Sequence, residues 1–97
     1  MHKYYYEAII QIRPGKKSVL DFVENQIKKN EIYVAKIECL KTGVDYYVSS
    51  HKFATNLGRK LKKSFKGELK LSRSLYGKDR QTSKDLHRVT VCFRLNQ

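Results

Sequence analysis

Acid is scarce throughout this chain and does not rise where base does. Between Arg59 and Arg88, eleven Lys or Arg residues face only Glu68, Asp79 and Asp85, so a net +8 of the chain's +12 falls in less than a third of its length. Such like charge opposes compaction, whereas a phosphate backbone exchanges its condensed counterions for it. The first half therefore reads as scaffold and the second as working surface.

Other scarcities exclude whole classes of protein. One proline and five glycines in 97 residues leave no flexible linker, and 40% hydrophobic content with eleven aromatics argues against disorder. A chain of this length makes one domain and removes roughly 60–70% of its extended surface from water on folding. Cys39 and Cys92 have no CxxC spacing, which gives neither a zinc ribbon nor a redox motif and predicts reduced thiols in the cytoplasm. The longest apolar run, Tyr4 to Ile10, is interrupted by Glu7 and falls far below the ~20 residues of a membrane span. No signal peptide is expected, because a basic region followed by an apolar one is missing.

Catalytic groups are thinly spread. His2, His51 and His87 are scattered, and the nearest carboxylates, Asp21 and Glu24, read as first-turn residues of a helix. The expectation is a protein that is not an enzyme and has no cofactor, metal or small-molecule substrate. The enzymatic alternative is a metal-independent ribonuclease, with Lys78 and Arg80 stabilising a pentavalent phosphate and Tyr76 or His87 moving the proton.

Alternation of Tyr4, Tyr6, Ala8, Ile10 and Ile12 with Tyr5, Glu7, Gln11 and Arg13 predicts a half-buried first strand, ended by Pro14-Gly15. Ser18 with Asp21 resembles a capping box, and Val19, Phe22, Val23 and Ile27 recur at helical spacing to about Lys29. Ile32 to Leu40 and Val44 to Val48 form a hairpin about Lys41-Thr42-Gly43, the second strand burying Val44, Tyr46 and Val48. Ser49 or Ser50 caps a second helix with the apolar line Phe53, Ala54, Leu57, Leu61 and Phe65, and Gly67 suits its C-terminal stop. Leu69 and Leu71 mark a fourth strand, and Val89, Val91, Phe93 and Leu95 a fifth, with Tyr76 to Leu86 a polar connection. The fold class is α+β: a two-layer sandwich of β-α-β-β-α-β-β order, a ferredoxin-like core with an added C-terminal strand.

Three surfaces stand out. On helix two, Arg59, Lys60, Lys62, Lys63 and Lys66 spread over the exposed arc, and no Glu or Asp within the helix supplies the i,i+4 pairs of an ordinary solvated face. Phosphate contact is the functional reading, solvation the bland one. The connection Gly77 to Lys84 offers Lys78, Arg80, Gln81, Thr82, Ser83 and Lys84 as a finger able to enter a groove, or else is a mobile link. Lys70, Arg73 and Arg88 on the flanking strands extend the basic set, and together these cations are expected to form one positive strip. Tyr5 and Tyr47, facing away from the helices on neighbouring strands, could stack unpaired bases or dock a second domain.

The runs Tyr5 to Arg13 and Gly43 to Ser50, then the basic helix, then Ser74-Leu75 to Asp79 with Thr82-Ser83, and finally Val89 to Leu95, resemble the large ribosomal subunit export-adapter proteins, the Nmd-three family, especially their archaeal form. The resemblance covers nearly the whole chain in order. It implies a non-enzymatic assembly factor that binds ribosomal RNA and ribosomal proteins of the immature large subunit. The paired CxxC zinc segment expected upstream and a C-terminal export signal are missing, so the resemblance implies a domain excised from a longer protein and does not extend to export. It also makes the Asp79 and Thr82-Ser83 loop the best functional position, Asp79 bracing the loop or pairing Arg80. A module docking on ribosomal proteins is the third reading.

Overall fold

Two helices cover one side of a five-stranded sheet in the computed structural model, which describes residues 6–78 and 85–96, the side chains of 74–78 and 85–87 excepted. The order is β1 (Ala8–Arg13), α1 (Lys17–Lys29), β2 (Val34–Leu40), β3 (Gly43–Val48), α2 (His51–Ser64), β4 (Gly67–Lys78) and β5 (Asp85–Leu95), which is the α+β arrangement expected from the periodicities. Across the sheet the strands run β2-β3-β1-β5-β4. β3 is antiparallel to both β1 and β2, so α1 crosses over between parallel strands with β3 threaded between them. In the ferredoxin-like plan β4 would lie beside β1. Here β5 turns back from β4 and enters that position, parallel to β1.

Alternation sets the two faces. Ala8, Ile10 and Ile12 of β1 pair with Val48, Tyr46 and Val44 on one flank and with Val89, Val91 and Phe93 on the other. These side chains meet Val19 and Val23 of α1 and Ala54, Leu57 and Leu61 of α2 in one core. The helical layer covers the outer strands only in part, and Ile37 of β2 and Leu71 of β4 remain 54% and 46% exposed.

Several local expectations change. Lys16 is the N-cap of α1, without a side-chain hydrogen bond, and Ser18 lies inside the helix, so the Ser18–Asp21 box does not form. Gly67 does not end α2; Phe65 is its extended C-cap and Gly67 opens β4. A Cβ there would strike the Arg94 carbonyl oxygen and stand 2.7 Å from Phe93 Cζ, so the glycine serves close approach of β4 to β5. Gly43 likewise belongs to β3, paired with Leu40, which shortens the hairpin turn to Lys41-Thr42. The polar connection predicted over Tyr76 to Leu86 is strand at both ends, since β4 continues to Lys78 and β5 begins at Asp85, with Gly77 opposite Leu86 and Lys78 opposite Asp85. β1 pairs with β5 only from Val89, so the β4–β5 ribbon runs past the rest of the sheet. That ribbon accounts for a molecule 46 Å long and 24 by 23 Å across.

Candidate nucleic-acid interface

Helix α2 begins where two side chains satisfy its free N–H groups. Ser50 Oγ accepts from Phe53 N at 3.1 Å, and the Glu7 carboxylate accepts from His51 N at 3.3 Å while standing 2.7 Å from His51 Nδ1. Ala54, Leu57, Gly58 and Leu61 form its buried stripe. A Cβ on Gly58 would lie 2.8 Å from Val91 Cγ1, so the absent side chain lets the helix sit low over β4 and β5. Lys52, Arg59, Lys60, Lys62 and Lys63 are left exposed. Among the described residues no carboxylate pairs with these five; ion pairs form instead at Arg13–Asp45, Lys36–Glu38 and His51–Glu7. Lys60 Nζ donates to the neutral Gln26 Oε1 at 3.3 Å, and Lys62 and Lys63 occupy the last turn, where the helix dipole favours cations.

The other cations divide between the two sides of the sheet. Lys66 is exposed in the connection from α2 to β4, and Arg73, exposed, shares the ladder parity of Leu69 and Leu71 on the helix side. Lys70, opposite Cys92, and Arg88, opposite Ser74, share the parity of the open face. The basic set thus gathers on the β4–β5 half of the molecule but on both of its sides. Arg80, Gln81, Thr82, Ser83 and Lys84 lie outside the described residues with Asp79, as do the side chains of Tyr76, Lys78 and His87.

On the open face, Tyr5 lies outside the described residues, and Tyr6 is found beside Tyr47. The alternation predicted Tyr6 on the helix side. β1 begins only at Ala8, and Glu7 anchors the approach through Glu7 N to Val48 O and Val89 N to Glu7 O while its side chain turns to α2. The Tyr6 and Tyr47 rings meet edge to face, centroids 5.0 Å apart at 86°. Lys36 Nζ is 5.4 Å from the Tyr47 centroid, and the Arg88 guanidinium carbon is 4.0 Å from that of Tyr6. Partial burial, then the Glu38 and Asp45 carboxylates, raise the Tyr47 hydroxyl pKa. A hydrogen bond to Glu38 raises that of Lys36. Neither Tyr6 nor Lys36 was legible as a site residue, because each owes its place to a break in alternation.

Among the described residues no group of three or more His, Cys, Asp or Glu is arranged to hold a metal ion, and no helix is long and apolar enough to cross a membrane. Cys39 and Cys92 are free thiols.

By fold and surface this is a basic α+β domain of ferredoxin-like order with an inserted fifth strand. The family model described as NMD3, second domain, matches residues 5–95, and the chain belongs to the NMD3 family. That family works in ribosome biogenesis in association with the large subunit and is not known for enzymes. No curated protein matches the chain.

Proposed function

We propose that this domain binds ribosomal RNA of the large subunit during its biogenesis, in the cytoplasm and without catalysis, α2 gripping phosphates. The observation that carries the reading is the exposed arc of α2, where five cations stand with no carboxylate among the described residues to neutralise them. Long Lys and Arg side chains follow a phosphate backbone without reading bases, so recognition is by charge and shape. Lys66 and Arg73 extend the same side of the sheet, and the sequence from Lys78 through Arg80, Gln81, Thr82 and Ser83 to Lys84 supplies further donors for the same polyanion. Membership of a family tied to the large subunit supports ribosomal RNA as the polyanion and ribosomal proteins as neighbours.

Affinity for folded RNA should fall steeply with salt. Replacing Lys62 and Lys63 together with Ala should lower the slope of log affinity against log salt by about two, equally for unrelated RNA sequences. An unchanged slope would remove α2 from the interface.

A further inference from the structure

The face of the sheet away from the helices holds a feature that phosphate binding through α2 does not use. Val34 pairs with Val48, and in a regular ladder Ala35 would stand opposite Tyr47 and Lys36 opposite Tyr46, on the helix side. A bulge between Val34 and Lys36 moves Lys36 opposite Tyr47 instead. Bulges re-aim side chains in this way and are over-represented beside functional sites. Here the result is a lysine over a ring, its ammonium 3.1 Å from Glu38 and 5.4 Å from the Tyr47 centroid. Tyr6 forms the opposite wall, its own ring lying beneath Arg88. The small side chain of Ala35 leaves the middle open: Tyr6, Ala35, Lys36 and Tyr47 enclose a recess of about 240 Å³.

We propose that this recess takes one unpaired nucleobase of an RNA strand, stacked against Tyr47 between Tyr6 and the Lys36 stem, with Lys36 and Arg88 supplying the positive field for the adjoining phosphates. The inference rests on the RNA-binding reading and adds a second mode to it, in which bases as well as phosphates contribute. Aromatic platforms on open sheets stack single-stranded bases because every base has a π-face. Charge selects a nucleotide over an apolar protein segment. Among the described side chains of this face, five cations stand against three carboxylates. An apolar cover would take that excess out of water without counter-charge, whereas a nucleotide brings its own.

The test uses the full chain, an unstructured RNA oligonucleotide and an oligonucleotide of equal length that is abasic throughout, so that phosphate number is constant. The intact strand should bind about tenfold tighter or more, as expected for one stacked base. Tyr47→Leu should erase that difference and leave affinity for the abasic strand unchanged, while Tyr47→Phe, which keeps the ring, should preserve it. Tyr6→Leu, outside the strands, gives the same readout if Tyr47→Leu does not fold. Quenching of a 2-aminopurine in the intact strand by the wild-type chain is expected and needs no variant. Equal affinity of the wild type for both strands overturns the proposal and returns the rings to protein docking. In that event, steeply salt-dependent binding of duplex RNA would leave the phosphate reading intact, and loss of all RNA binding would remove both.

Discussion

Gly43 shows how a single missing Cβ holds two strands together. A methyl group there would fall on the Ile12 carbonyl oxygen and crowd the Arg13 guanidinium at 2.9 Å. That guanidinium donates to the same carbonyl at 3.0 Å and pairs with buried Asp45 at 2.8 Å. Gly43→Ala should therefore destabilise the fold by on the order of 3 kcal/mol, the upper range for overpacking, because backbone rather than a side chain must yield. A urea unfolding midpoint close to wild type would contradict this. Glu31 is the opposite case. It adopts φ 52° at the end of α1, where Ile32 N bonds Ile27 O and Glu31 N bonds Lys28 O, the pair of bonds that defines a Schellman turn. The left-handed conformation is strained for glutamate and open to glycine. Glu31→Gly should gain roughly 0.5–1 kcal/mol after the entropy of the unfolded chain is counted. Calorimetry should show a melting temperature higher by a few degrees, and a fall would refute the assignment.

At the scale of elements, a polar tether joins α1 to the sheet. Tyr46, 1% exposed on β3, donates its hydroxyl to Glu24 Oε2 of α1 at 3.1 Å. Burial first, then the hydrogen bond to Glu24 and the negative charge nearby, push the Tyr46 pKa above its usual range. The folded chain thus keeps a proton that the unfolded chain releases near pH ~10. The stability tied to it is fully present below that pH and is lost as pH climbs towards the raised folded value. Tyr46→Phe should lose about 1 kcal/mol at neutral pH through the missing hydrogen bond, yet show a flatter decline between about pH 9 and 11 than wild type. Parallel declines in urea midpoints would locate the alkaline sensitivity elsewhere. α2 is built differently, its entry satisfied by Ser50 and Glu7 and its stripe seated by Gly58, and its outer cations stand exposed. Their density was legible in the residues, since a count of charges requires no fold.

For the whole molecule, the decisive event is the entry of β5 between β1 and β4. It separates β4 from the ferredoxin-like centre and leaves it the outer strand, on which alternation sets Arg73 and Lys70 on opposite sides of the same edge. It also carries the ribbon past the body, so Gly77 and Lys78, expected in a loop, belong to β4. Two candidate surfaces result, a cationic helix on one side and an aromatic recess on the other. A large folded RNA can engage both at once only if it reaches around the β4 edge or offers a single strand to the open face.

The residues alone determined the kind and order of the elements, because periods of 2 and 3.6 are local and survive without knowledge of partners. They also determined the charge excess of the second half. Tertiary structure decided which strand lies beside which, that Lys36 lies over Tyr47, and that Tyr6 faces away from the helices. These depend on register, and a one-residue shift sends a side chain to the opposite face of a sheet. Such a shift is set by distant pairing, at Val34 with Val48 and at Glu7 with Val48 and Val89, and no local pattern encodes it.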